Sequence, residues 1–219
     1  METTLSLLYG HTGEVLITDG VDAPLRLGNE GQALVSSLHG EYYELCKRGN
    51  LFISSTVVAG LAIPISTSTA PVSALWNPAG SGVNAVLLRF LCAYVSGTTV
   101  GGSIGLSRSV GAGAEIATGA VFTAFAKTTP INGLMERGKA SKIFSSNAGT
   151  NTLTAAGTWF YTMFEEYAAV ATSAINSGFK DHDFKGALIV TPGVAVYPTG
   201  AAASGALLAQ TWVWVEVPA

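Results

Sequence analysis

The apolar positions of this chain follow a helical spacing before residue 50 and an alternating spacing after it. In the first part, apolar side chains recur at steps of four, four and three residues, which places them on one face of an α-helix. Gly49 follows two basic residues, as a glycine that ends a helix does. The sequence predicts one amphipathic helix at about residues 31–48. Its apolar stripe needs a protein surface to dock on, and the candidate contact residues are Leu34, Leu38, Tyr42, Tyr43 and Leu45.

From residue 51 onward the apolar residues alternate with a period of two, which is typical of β-strands. In residues 83–95, Val86 and Phe90 are expected on one face of a strand, and Leu87 and Arg89 on the other, so both faces are largely covered. Eight strand-like runs favour a mainly β fold, a jelly-roll-like β-sandwich. The runs are residues 52–65, 72–76, 84–95, 100–107, 116–126, 158–170, 186–196 and 207–217.

Two proline-glycine turns separate predicted strands. Proline fixes φ and glycine readily takes positive φ, so each turn can reverse the chain tightly. Alternating tryptophans on the neighbouring strands are interpreted as core residues. The structural residues of these turns and of the core are Trp76, Asn77, Pro78, Gly82, Pro192, Gly193, Trp212 and Trp214.

Arg89 is the only charged residue in the apolar run 83–95. An isolated guanidinium in such a strand would be costly to desolvate. We therefore expect Arg89 to pair with an acid or with backbone carbonyls at a subunit contact.

The distribution of charge predicts two regions. Residues 1–49 hold seven acidic and three basic residues, whereas residues 51–126 hold only Arg89, Arg108 and Glu115. This shift predicts an N-terminal arm, residues 1–50, that contains the helix, followed by a sandwich domain, residues 51–219.

Charged residues make up 11% of the chain, against about 25% in a typical soluble domain, so Ser, Thr, Gly or another subunit must cover much of the surface. The net charge of −3 and the scattered basic residues argue against direct nucleic-acid binding. No apolar run reaches the ~18 to 20 residues that span a bilayer, so no membrane partner is expected. The first residues lack the features of a secretory signal, and the protein is expected to stay in the cell that makes it.

Candidate chemistry in the chain is weak. Residues 133–141, GLMERGKAS, approach a phosphate-binding loop, but Ala140 stands where the magnesium-binding hydroxyl is needed. The tripeptide Asp181-His182-Asp183 is interpreted as a solvated loop, because neighbours on a strand point to opposite faces and no second His or Cys lies nearby. No nucleophile with a paired base is recognisable. We expect no catalysis, no cofactor and no metal.

Several elements in order resemble a class of tailed-phage head proteins. They are an arm ending in LHGEYYELCKRGNLF, the turn WNPAGSG before an apolar strand, and a PG turn followed by TWVWVEVP. The arrangement is similar to phage capsid cement or decoration proteins. That resemblance implies a jelly roll that forms homotrimers on the capsid surface, an arm that reaches neighbouring capsid subunits, and no catalytic residues. The implied partners are the major capsid protein and other copies of the chain, and the implied location is the virion.

Two other functions remain open from the sequence. Jelly rolls also serve as lectins, so the chain could be a carbohydrate-binding head or tail module whose tryptophans stack on sugars. A major shell protein is the third interpretation, although an arm plus one sandwich is small for that role.

Overall fold

The computed structural model describes residues 10–11, 25–26, 40–98, 101–111, 121–135, 138–147, 151–166 and 179–219. The chain divides into two compact units, Met1–Tyr43 and Glu44–Ala219. In the first unit, the short strands Gly10–His11 and Leu25–Arg26 pair in parallel. The second unit contains the sandwich.

One helix, α1, spans Tyr43–Lys47. It ends as predicted, because Gly49 takes a φ of 66° and its N–H donates to the carbonyl of Cys46 over 2.8 Å. The N-terminal part of the predicted helix, which includes Leu34 and Leu38, lies outside the described residues. The predicted domain boundary at residue 50 stays a prediction. The division into two compact units falls before Glu44.

Eight strands build two antiparallel sheets in the second unit. They are β1 Leu51–Ser55, β2 Ala74–Asn77, β3 Val83–Ser96, β4 Gly102–Val110, β5 Thr158–Glu166, β6 Lys180–Val190, β7 Val194–Gly200 and β8 Leu207–Pro218. Sheet A has the order β6–β3–β8–β1, and sheet B has the order β2–β7–β4–β5. Five shorter strands extend these sheets or form a small one of their own. They are Leu61–Ala62 beside β8, Ile131–Asn132 beside β1, Phe144–Ser146 beside β2, and Phe122–Ala124 paired with Thr152–Leu153.

The pairing of the eight strands is nested. Strand β4 pairs with β5, β3 with β6, β2 with β7, and β1 with β8, always antiparallel. This is one long hairpin folded over so that successive pairs fall alternately in sheet B and sheet A. Such an order is the connectivity of a jelly roll, and the predicted mainly β sandwich is confirmed.

The main core lies between the two sheets. From sheet A, Phe52 stacks on Trp214 with ring centroids 5.9 Å apart, and Phe90 lies 4.6 Å from Trp212. Sheet B contributes smaller side chains, so that large and small residues meet across the interface. The buried residues of sheet B in this core are Leu75, Ile104, Leu106 and Val196.

A second buried cluster covers the outer face of sheet B. Residues 111–157 connect β4 to β5, and the parts of this connection that the structure describes return over β2 and β7. Trp76 is the centre of the cluster, with its ring 5.6 Å from Phe122 and 5.5 Å from Phe125. Strand β2 is consequently buried on both faces.

The two proline-glycine turns meet at Asn77, a fully buried residue. Its side-chain amide donates to the carbonyl of Val83 and to that of Val190, both over 2.8 Å. Its own backbone carbonyl accepts the N–H of Gly193 at 2.8 Å, and its side-chain oxygen accepts the Ser81 hydroxyl at 2.5 Å. Each turn carries the chain between the sheets, so one side chain ties the two crossings together.

Within the run 186–196, the predicted turn at Pro192-Gly193 separates β6 from β7. Two other strand predictions need correction. Asp181-His182-Asp183 lies in β6 and not in a loop. In β3, the register shift beside Leu87–Arg89 inserts one extra residue, so Val86 and Phe90 point to opposite faces instead of sharing one.

We predict that Asn77→Ala lowers the free energy of unfolding by about 2–4 kcal/mol, because it leaves two buried carbonyls without a donor. Urea denaturation followed by circular dichroism measures the change. Asn84→Ala is the matched control, because Asn84 lies on β3 without such bonds, and it should cost under about 1 kcal/mol. Equal losses in the two variants would contradict the role given to Asn77.

Candidate assembly surface

The outer face of sheet A combines apolar side chains with three charged ones. Strand register aligns Asp183, Arg89, Val213, Ile53 and Ile131 across five neighbouring strands. The parallel row on one side is apolar and contains Ile189, Val86, Val215 and Leu51. The row on the other side is mostly polar and contains Asp181, Leu91, Thr211 and Ser55.

Fewer described residues pack over this face than over the outer face of sheet B. Val86, Leu91 and Val213 are only partly buried, and neither buried cluster contains them. At the margins, Ile189 is 56% exposed and Ile131 is 59% exposed. Of the described segments, 121–126 and 152–153 cover β2 and β7 of sheet B. On the outer face of sheet A, Leu51 and Val215 are each 3% exposed, whereas Val86, Leu91 and Val213 remain partly exposed. Among the described residues, β3 is therefore buried on its inner face and partly buried on its outer face, in line with the expectation that both faces are largely covered.

Arg89 forms an ion pair with Asp181 on this face. The expected acidic partner is thus present, and it comes from the same chain. The Arg89 side chain remains 40% exposed, so solvent screens the pair and its contribution to stability is small. Its Nε atom is buried without a hydrogen-bond partner among the described residues. Whether Arg89 also lies at a subunit contact stays a prediction.

The two long edge strands of the sandwich are irregular. In β6, Lys185 takes a φ of 51° and Gly186 one of 73°, which breaks the ladder beside three charged residues. Strand β5 shifts register twice along its pairing with β4. Bulges and charges of this kind discourage edge-to-edge pairing with another chain. The outer face of sheet A is therefore a better surface for association than either edge.

On the side where these two edge strands meet, His182 links the sheets. Its Nε2 lies 3.1 Å from the Tyr161 hydroxyl, and its ring packs 4.8 Å from Phe184. Burial lowers the pKa of His182 below its usual 6.5, while the charges of Asp183 and Asp181 oppose the shift in part. Sequence reasoning missed this contact because it placed His182 in a loop.

The predicted structural residues lie in the core and at one end of the sandwich. Trp76, Trp212 and Trp214 are each at most 1% exposed. The indole N–H of Trp212 donates to the Ser73 hydroxyl at 2.9 Å. Rings buried to this extent have no face available to stack on a sugar, which removes the basis for carbohydrate binding through Trp212 or Trp214.

The predicted contact residues of the helix are described only in part. Tyr43 is 44% exposed and Leu45 is half-buried on α1. Tyr42 lies in the turn that precedes the helix. Among the described residues, no group of three or more His, Cys, Asp or Glu could hold a metal ion, and no helix is long and apolar enough to cross a membrane.

No family model matches the chain, and no curated protein matches it. A search of solved structures finds a chain described as "KBV activated particle at acidic pH". The alignment covers 100% of this chain and 87% of that one, with 9% sequence identity and a TM-score of 0.22. A similarity this low carries no argument, so the fold assignment depends on the strand order alone.

We predict that Arg89→Met changes the free energy of unfolding by less than about 1 kcal/mol, because the ion pair is exposed. It should nevertheless alter the mass of any oligomer measured by light scattering, since Arg89 lies on the outer face of sheet A. Arg108→Met, which removes an exposed arginine from β4, is the control. An unchanged oligomer in both variants would show that Arg89 simply reaches solvent.

The pKa of His182 predicts a loss of stability in acid. The unfolded chain binds a proton at the usual pKa of about 6.5, whereas the folded chain binds it only at lower pH. The stabilisation is therefore complete above about pH 6.5 and is lost as pH falls through the folded value. Melting temperatures between pH 7.5 and 5.0 should fall less steeply for His182→Gln than for the parent. Parallel curves would contradict this prediction, and His39→Gln is the control for replacing a histidine elsewhere in the chain.

Proposed function

We propose that this chain is a structural protein of a virus particle that binds the outside of a tailed-phage shell and stabilises it. The observation that carries the proposal is the partly exposed apolar side chains on the outer face of sheet A. On the same jelly roll, residues of the chain itself cover the outer face of β2 and β7 in sheet B. Jelly rolls host many functions, so the fold alone does not decide. A face that combines partly exposed apolar side chains with an ion pair is suited to contact with protein.

Composition supports the same role. With charged residues at 11% of the chain, burial against neighbouring subunits is an economical way to cover the remaining apolar surface. The proposed partners are the major capsid protein and other copies of this chain, with a homotrimer as the proposed assembly. This role needs no catalytic residue, cofactor or metal, and it places the protein on the virion surface.

Stabilisation follows from mass action. A protein that binds the intact shell but not its opened form stabilises the intact shell by RT ln(1 + [L]/Kd) at each site, about 2.7 kcal/mol when the free protein is at a hundredfold excess over Kd. Many sites act together on one shell. A modest affinity at each site is consequently sufficient to stabilise the whole shell.

We predict that shells carrying this protein release their genome at a higher temperature than shells without it. Dye fluorescence during heating measures the release. Val213→Lys places a charge in the centre of the outer face of sheet A and should weaken shell binding at least tenfold. Thr162→Lys, at an exposed position of edge strand β5, is the matched control and should bind normally.

A truncated chain tests the contribution of the arm. The deletion should end at residue 39, because Gly49 and Asn50 are bonded into the sandwich: Asn132 Nδ2 donates to the Gly49 carbonyl at 2.8 Å, and Glu216 N to the Asn50 carbonyl at 2.9 Å. We expect the truncated chain to keep its β-sheet circular dichroism and to lose shell binding. Equal release temperatures with and without the intact protein would refute the proposed function, and specific binding in a glycan screen would favour the carbohydrate-binding alternative.

A further inference from the structure

A cleft of about 430 Å³ lies where the start of β3 and the end of β8 approach the segment 138–142. Its lining combines apolar side chains, Val83 and Val217, with two lysines, Lys139 and Lys142. We call it the lysine cleft. A volume in this range is large enough to hold several residues of an extended peptide.

The carboxylate of Glu216 lines the same cleft but is occupied by the backbone. Its Oε1 accepts the Ser141 hydroxyl at 2.5 Å and the N–H groups of Lys142 and Ile143 at 3.1 and 3.3 Å. The Glu216 side chain thus fixes the segment that carries both lysines. These hydrogen bonds stabilise the negative charge of Glu216, and no lysine ammonium group pairs with it among the described residues.

Neither lysine has an acidic partner among the described residues. Lys139 Nζ donates to the side-chain oxygen of Asn50 at 2.6 Å, which is a neutral acceptor. Lys142 is exposed and forms no ion pair with another described residue. The ion pair between described residues joins Arg89 to Asp181. Two positive charges beside an apolar lining favour a ligand with carboxylates on an extended apolar backbone.

The sequence of this chain contains such a segment. Residues 1–30 hold five acidic residues and one basic residue, whereas residues 31–219 hold nine acidic and ten basic residues. Three of the acids, Glu14, Asp19 and Asp22, fall within nine residues and are interspersed with Val15, Leu16, Ile17 and Val21. The negative charge of the whole chain therefore comes from its first 30 residues.

We propose that the lysine cleft binds the acidic stretch at residues 14–22 of a second copy of this chain. The inference rests on the proposed function in that it treats the arm as an assembly element. The contact is heterologous, since a segment of one copy meets a different surface of the next. Repetition of such a contact around a symmetry axis closes a ring.

A charge exchange between two variants of the full chain tests this contact. The cleft variant carries Lys139→Glu and Lys142→Glu, and the arm variant carries Glu14→Lys, Asp19→Lys and Asp22→Lys. Each variant alone should lose self-association by on the order of tenfold, because attraction is replaced by repulsion. When the two are mixed, each arm finds a complementary cleft only on the other variant, so contacts between unlike copies should return, while a ring of three would still contain one repulsive contact between like copies.

Light scattering measures the mass, and differently labelled copies report which variants associate. Arg108→Glu with Lys185→Glu reverses two exposed bases elsewhere and should leave association unchanged. Lys139→Gln with Lys142→Gln guards against misfolding of the cleft variant, which circular dichroism also checks. Unchanged self-association of the cleft variant, or failure of the mixture to associate, would overturn the inference. Shell stabilisation by the same variants is measured separately, so the proposed function can stand where this contact fails.

Discussion

The buried amide of Asn77 holds the points where the chain passes between its two sheets. The turn from β2 to β3 leads from sheet B to sheet A, and the turn from β6 to β7 leads back. The amide bonds to the carbonyl of Val83 at the end of the first crossing and to that of Val190 at the start of the second. Because the strands are nested, fixing these two crossings fixes the spacing of the sheets and the register of the strands that follow. The aromatic residues of both clusters pack against strands placed in this way.

The alternation of apolar residues was sufficient to predict a β-sandwich, because each strand needs one face for the core. It was not sufficient to predict the nested pairing, which brings together residues as distant as Ser54 and Trp212. Local patterns also failed at the extra residue beside Leu88, since a bulge reverses the phase of everything after it. The charged start of β6 resembled a loop because an edge strand tolerates charges that a central strand does not.

The candidate surface was visible in the sequence only as an excess of apolar residues. Arg89 pointed to it, because a charge in an apolar strand required a partner, and Asp181 provides one. Which of the apolar residues face outward could not be read without the register that sets Val213 beside Arg89 and Ile53. The lysine cleft likewise depends on Glu216, whose bonds to the 141–143 backbone join segments more than 70 positions apart.

The layer that residues 121–126 and 152–153 form over sheet B makes the two sides of the sandwich unequal. A sandwich with two adhesive sides would bind a surface and then recruit further copies onto itself without limit. In the proposed role, a molecule attached through sheet A would direct outward a side that its own Trp76 cluster partly covers. Coverage would then stop at a single layer, and the number of attached molecules would be set by the area of the surface beneath them and not by the concentration of free protein.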